Sequence, residues 1–180
     1  MRTIKLTRID AWREKPPSYP HPLRRWLTDR GSLTARIKSH FPAFNLQRLG
    51  QSLKAPHRDE RRHMDFRPGE LAVVREVLLK SGDTPLVFAH SIVARRDVRG
   101  VWRGLSRLGA RPLAEMLFHD PTVARLPMEY HHIDARHPLF RRAQAVAPHD
   151  AKSLWARRSV FMKHGRPLLV TEVFLPGIRS

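Results

Sequence analysis

Two stretches of this chain alternate apolar and polar residues about a short turn, and each reads as a β-hairpin. The first has strands over residues 71–79 and 85–93 around Ser81-Gly82-Asp83. The second has strands over residues 154–162 and 168–175 around His164-Gly165-Arg166. Helical signals lie between them. A short helix is predicted over residues 23–29 and is broken by Gly31. Ser32 is then a good N-cap for a second helix to about residue 39. Residues 100–108 read as a helix ended by Gly109, and Pro112 starts another that runs to Phe118. Residues 44–53 and 127–133 are weaker strands, residues 137–143 a short helical or turn segment, residues 54–69 a polar loop, and residues 14–22 a Pro-rich extended stretch. Hairpins with helical pairs inserted between strands predict an α+β fold with a mainly antiparallel sheet and helices over one face or edge. A doubly wound parallel sheet would need strictly alternating strands and helices, which the pattern lacks.

The chain has 180 residues, which suits a single domain over 1–180 with 1–21 as an extended lead-in. It contains no cysteine, so disulfides, Cys-based zinc sites and thiol nucleophiles are excluded. The first ten residues hold no uninterrupted apolar stretch, which argues against a secretory signal. No run reaches the roughly 18 apolar residues that a membrane span needs, and a cytoplasmic monomer is expected. The net charge of +18 attracts anions of any kind, whether nucleic acid, anionic lipid or a small acidic substrate. Yet the charge is spread along the chain; Arg58, Arg61 and Arg62 form one short cluster, interrupted by Asp59 and Glu60. A basic patch interleaved with aromatics is missing, so no specific nucleic-acid partner is expected, only a weak association with anionic surfaces. His131-His132, Asp134 and His137 form a tempting metal cluster, but their spacing fits no ligand template and adjacent residues of a strand face opposite ways. No metal or other cofactor is expected.

The strands also carry charge where a core should be. Side chains alternate between the faces of a strand. One face of residues 71–79 holds Leu71, Val73, Arg75, Val77 and Leu79. One face of residues 168–174 holds Leu168, Val170, Glu172 and Phe174, and one face of residues 86–92 holds Leu86, Phe88, His90 and Ile92. An isolated buried charge costs several kcal/mol, on the order of 2–7 for a polar group and more for an ion. Arg75, Glu172 and His90 must therefore meet each other or a ligand, and all three could line one pocket over the sheet. The bland alternatives are a buried Arg75–Glu172 pair that fixes register and a neutral His90 bonded to a backbone carbonyl. Leu33 and Leu113 sit in first helical turns, whose free N–H groups attract anions when they face a pocket and water when they do not.

These residues carry a resemblance. Arg75-Glu76-Val77-Leu78-Leu79, the stretch Leu108-Gly109-Ala110-Arg111-Pro112-Leu113 with Leu117-Phe118, Trp155-Ala156-Arg157-Arg158-Ser159, and above all the run from Gly165 to Pro176 resemble the motifs of the bacterial chorismate lyases of the ubiquinone pathway. Ser32-Leu33-Thr34 is a shorter match, and the likeness spans about residues 22–177. It implies a pocket sealed under two helix–turn–helix flaps, at about 22–40 and 100–118, with slow product release. It implies that Arg75 and the amides of Leu33 and Leu113 hold a ring carboxylate, and that Glu172 meets the hydroxyl end of the ring; a carboxyl so placed can donate or accept a proton there or orient the hydroxyl. The implied substrate is chorismate, and the implied reaction is elimination of pyruvate to leave 4-hydroxybenzoate, without a cofactor. Better-known members have an arginine on the second strand where this chain has His90, which would hold the side-chain carboxylate; Arg158 on a neighbouring strand could take over that role. The competing readings are a ligand sensor of the same fold, which would bind an aromatic acid without consuming it, and a basic nucleic-acid or membrane-surface protein. A sensor would normally follow a DNA-binding head, for which this chain has no evident room.

Overall fold

The computed structural model describes residues 12–19 and 21–179. In chain order the elements are α1 (Arg24–Leu27), α2 (Leu33–His40), β1 (Phe44–Lys54), β2 (Ala72–Ser81), β3 (Thr84–Ala94), α3 (Arg95–Val98), α4 (Leu113–His119), β4 (Val123–Arg125), β5 (Glu129–Asp134), α5 (Pro138–Val146), β6 (Ser153–Lys163) and β7 (Arg166–Phe174). Short 3₁₀ turns occupy Arg61–His63, Arg103–Arg107 and Pro176–Arg179. The strands form one sheet in the order β1-β2-β3-β7-β6-β4, with β5 also paired to β6. Every pairing is antiparallel. The fold is α+β, as the hairpins predict.

Turn chemistry sets the register of both hairpins. Between β6 and β7, Lys163 pairs with Arg166, leaving His164 and Gly165 as a two-residue turn. Both have positive φ, 46° and 71°, the backbone that tight hairpin turns require. The β2–β3 hairpin turns at Gly82 (φ 54°) and Asp83. Its register then shifts by one residue between Leu79 and Lys80, and that bulge decides which side chains share a face.

Helices were expected on one side of the sheet; the structure covers both. On the front, Leu23, Trp26, Leu27, Leu33 and Ile37 of α1 and α2 pack with Val77, Leu79 and Phe174. Trp102, Leu105, Leu108 and Leu117 pack there with Val73, Val93, Phe161 and Leu168. On the back, Leu139, Phe140 and Ala143 of α5 meet Leu78, Phe88, Ala156 and Val173. Met64 lies over Val74, Ile92, Val160 and Leu169. The apolar stripe of α5 needs a partner surface and finds it there. Consequently β2 is buried along nearly its whole length.

Three local expectations change. Residues 100–108 do not form one α-helix; α3 ends at Val98 and a 3₁₀ turn follows at Arg103–Arg107. Gly100 and Gly104 weaken a helix there by about 1 kcal/mol each relative to alanine, and a Cβ at Gly104 would lie 2.9 Å from Met116 Sδ. The strand β4 gives no sequence signal, since three residues cannot display an alternation. The described part of the lead-in is tied to the domain. Arg13 bridges Tyr130, and Trp12 is buried in the back core, donating from Nε1 to Asp59 Oδ2 at 2.9 Å under the guanidinium of Arg158, 4.3 Å from its ring centroid. Residues 1–11 and 20 of the expected lead-in lie outside the described residues.

Trp12 also packs edge-on to His131, 5.4 Å between centroids. Burial, helped by the nearby His137, lowers His131 from its ordinary 6.5 to about 4. The unfolded chain thus takes up this proton before the folded one does. The contribution is present above pH 6.5 and is lost as pH falls towards 4. Urea midpoints measured between pH 7 and 4.5 should fall less steeply for His131→Gln than for the wild type; parallel slopes would contradict this account.

Candidate functional site

Four strands present two adjacent rows of side chains to the front face. Direct cross-strand partners point the same way. One row runs Arg75, Ser91, Val170, Ser159 across β2, β3, β7 and β6; the next runs Val77, Ala89, Glu172, Arg157. All eight line one cavity. With strands about 4.8 Å apart, Arg75 and Arg157 stand at opposite ends of its floor. Leu33 and Thr34 at the start of α2, and Pro112, Leu113 and Leu117 at and along α4, form the lids.

Arg75 is 2% exposed. One of its terminal nitrogens donates to the carbonyls of Gly109 and Arg111, at 3.1 and 2.8 Å. Gly109, with φ 58°, turns the chain so that these carbonyls reach β2, which ties the second flap to the cavity floor. Nε of Arg75 is buried and unbonded. Among the described residues no carboxylate lies within ion-pair distance of this guanidinium. Burial, with Arg48 adding to it, pulls its pKa below the ordinary arginine value. A carbonyl supplies only a dipole, so the charge itself lacks compensation, and such a group favours an anion entering the cavity. The register-fixing Arg75–Glu172 pair is not formed.

Glu172 pairs instead with Arg157. Arg157 Nε donates to Glu172 Oε2 at 2.5 Å, while the 1% exposed Arg157 also donates to the carbonyls of Trp26, Leu27 and Asp29. These three bonds fasten the first flap to β6. Arg125, on β4, enters the same end. Its Nε donates to Ser159 Oγ at 2.9 Å and its terminal nitrogen to the Arg30 carbonyl at 2.9 Å. Glu172 is the one carboxylate among the residues lining this cavity, against three arginines.

The lids begin where the caps predict. The Ser32 side chain accepts from the Ala35 amide at 3.2 Å, and α4 starts directly after Pro112. Leu33 and Leu113 are therefore first-turn residues, whose N–H groups have no intrahelical acceptor. The cavity between floor and lids is about 50 Å³, room for a few waters at roughly 10–15 Å³ each by the same measure.

His90 does not join this site. The bulge at Leu79/Lys80 pairs Arg75 with Ser91 and Glu76 with His90, so His90 faces the back of the sheet and Ser91 takes the front position. Without the bulge, simple counting back from the turn would pair Arg75 with His90. On the back, His90 is 3% exposed, with Glu76 Oε1 3.2 Å from Nδ1 and Glu60 Oε1 3.0 Å from Nε2. Burial opposes its charge, but the two carboxylates outweigh burial and raise its pKa to about 9. Arg158 likewise faces the back, where it meets Glu129 at 2.7 Å and Asp59 at 3.4 Å. The cation in the cavity is its neighbour Arg157. That residue was findable: a two-residue turn at His164-Gly165 counts back to Arg157 opposite Glu172. Arg125 was not, because β4 carries no pattern.

Residues 12–180 match the chorismate lyase family. A Nitrosomonas europaea protein named "Probable chorismate pyruvate-lyase" is 46% identical, over 94% of this chain and 95% of that protein. One of the same name from Aromatoleum aromaticum is 49% identical, over 94% of each. Among solved structures, the C-terminal domain of the histidine utilization repressor from Pseudomonas syringae pv. tomato has a TM-score of 0.54 at 14% identity, covering 76% of this chain and 94% of that one. A GntR-family regulator from Bacillus cereus has a TM-score of 0.53 at 10% identity, over 74% and 92%. At such identities these two share the fold alone. The family match, nearly the whole chain long and joined by relatives that share almost half of its residues, shows that the chain belongs to the chorismate lyase family.

Proposed function

We propose that the protein is a chorismate pyruvate-lyase, which eliminates pyruvate from chorismate and leaves 4-hydroxybenzoate for ubiquinone synthesis in the cytoplasm. The observation that carries this reading is the buried Arg75 guanidinium, without a counter-charge among the described residues, set in a lidded cavity whose other end holds two more arginines and a carboxylate. Chorismate is a dianion, with one carboxylate on the ring and one on the enolpyruvyl ether. Arg75, with the first-turn amides of Leu33 and Leu113, receives the ring carboxylate. Arg125 and Arg157 face the ether carboxylate. Glu172, oriented by Arg157, meets the ring hydroxyl.

The chemistry asks little more of the protein. The ether C–O bond breaks with its electron pair leaving on the enolate oxygen, the ring carbon bearing the hydroxyl loses its proton, and the ring becomes aromatic. The enolate then takes up a proton to give pyruvate. Fixing the dianion at both ends selects the reactive conformer, and the flaps exclude water from the developing charge. Glu172 is the carboxylate within the cavity suited to accept or relay the ring proton. Because the flaps must part again before product leaves, release is expected to be slow. The sensor reading shares the fold but gives no use for a second anion site beside Glu172.

Purified protein given chorismate should form 4-hydroxybenzoate and pyruvate in equal amounts, with added 4-hydroxybenzoate inhibiting. Glu172→Gln should fold normally and turn over at least about 100-fold more slowly, within the usual range for a lost acid–base group. Binding without turnover in the wild type would favour the sensor, and undiminished turnover by Glu172→Gln would remove proton transfer from that residue. The two ends separate by ligand. Arg75→Ala should weaken chorismate and 4-hydroxybenzoate alike, by about 2–5 kcal/mol, whereas Arg125→Ala should weaken chorismate far more than the monoanionic product. Equal effects of Arg125→Ala on both ligands would contradict the assignment of the ether carboxylate.

A further inference from the structure

The back of the sheet holds a second cluster that the reaction does not use. Three groups capable of binding metal, from His57, Glu60 and His90, bring their ligand atoms within 4.8 Å of one another. Glu60 Oε1 lies 3.0 Å from His90 Nε2 and 3.5 Å from His57 Nδ1. Glu60 and His90 are 2% and 3% exposed. Glu60 Oε1 is an ion-pair partner of both rings, yet among the described residues His57 Nδ1, Glu60 Oε1 and His90 Nε2 all fall short of hydrogen-bond geometry and are buried. One carboxylate oxygen shared between two imidazole nitrogens in this way suits a cation.

The surroundings fit as well. The second oxygen of Glu60 is engaged by the main-chain N–H of His57 at 2.7 Å, which leaves Oε1 for the shared point. Behind His90, Nδ1 meets Glu76 at 3.2 Å, and Glu76 is itself held by Arg142 at 2.8 Å. A carboxylate fixing the far nitrogen of an imidazole is the usual support of a histidine ligand, since it sets the tautomer and raises ligand basicity. A cavity of about 100 Å³ beside the cluster, lined also by Lys54, Ala55 and Val74, leaves room for a water as fourth ligand.

We propose that His57 Nδ1, Glu60 Oε1 and His90 Nε2 bind one divalent transition metal, zinc by the borderline nitrogen and oxygen donor set, with Glu76 orienting His90. The metal pins the segment from His57 to Met64 onto β2 and β3. The site lies on the opposite face from Arg75, and its role is to stabilise the domain rather than to take part in the elimination.

The test is calorimetric titration of the chelator-stripped full chain with zinc chloride, with melting temperature followed in parallel. The wild type should bind one equivalent tightly and melt higher with zinc. His57→Ala, which removes a partly exposed ligand and leaves the core intact, should weaken that binding by at least about 100-fold and abolish the zinc-dependent rise; Glu76→Gln should weaken it by about 10- to 100-fold. His132→Ala, remote from the cluster, should change neither. Wild-type affinity in His57→Ala would mean that zinc sits on other histidines, and absence of tight binding in the wild type would mean that His90 simply bridges Glu60 and Glu76. Either result overturns the site.

Discussion

A buried guanidinium with no carboxylate beside it among the described residues is the condition around which the front half of this protein is arranged. Arg75 stands in a row of aliphatic side chains on an inner strand, where an isolated charge is among the most unfavourable things a fold can contain. The carbonyls of Gly109 and Arg111 offset part of that cost. What remains is an affinity for an anion, stored in the fold before any ligand arrives. The same contacts hold the second flap down, so the anion site and its lid are one construction.

The opposite end of the cavity follows the same logic with a different balance. Arg157 is neutralised by Glu172 and spends its remaining donors on the backbone of the first flap, while Arg125 bonds to Ser159 and the Arg30 carbonyl. Each flap is therefore anchored through an arginine rising from the sheet. Opening either one disturbs the electrostatics of the site, which links substrate entry to charge placement rather than to loop flexibility alone. The back face sorts its charges separately. There His90 and Arg158 meet Glu60, Glu76, Asp59 and Glu129, and the sheet keeps the two sets apart.

Much of this was legible in the residues. The two hairpins, the Ser32 cap, the Gly109 stop and the start of α4 after Pro112 all follow from local rules, and alternation alone marks Arg75 and Glu172 as misplaced charges. The failures are equally local. His90 lies on the face opposite to the one that alternation from the turn predicts, because one bulged residue inverts a whole face of a hairpin, and nothing in Leu78-Leu79-Lys80-Ser81 announces the bulge. Arg157 and Arg158 are adjacent, so choosing between them needs the register, which the His164-Gly165 turn encodes but the eye does not count. Arg125 sits on a strand too short to show a period. The cluster proposed to bind a metal joins a loop to a strand, His57 and Glu60 to His90, and sequence distance hides such meetings. The excess of positive charge, +18, is used by the cavity only in part.

The central claim is that Arg75 awaits a ring carboxylate, and a crystal structure grown with 4-hydroxybenzoate tests it most directly. The account predicts the product beneath parted and reclosed flaps, its carboxylate against the Arg75 guanidinium and the first-turn amides of Leu33 and Leu113, its hydroxyl at Glu172. A product bound elsewhere, or reversed so that its carboxylate meets Arg157 while Arg75 keeps only its two carbonyls, would contradict it.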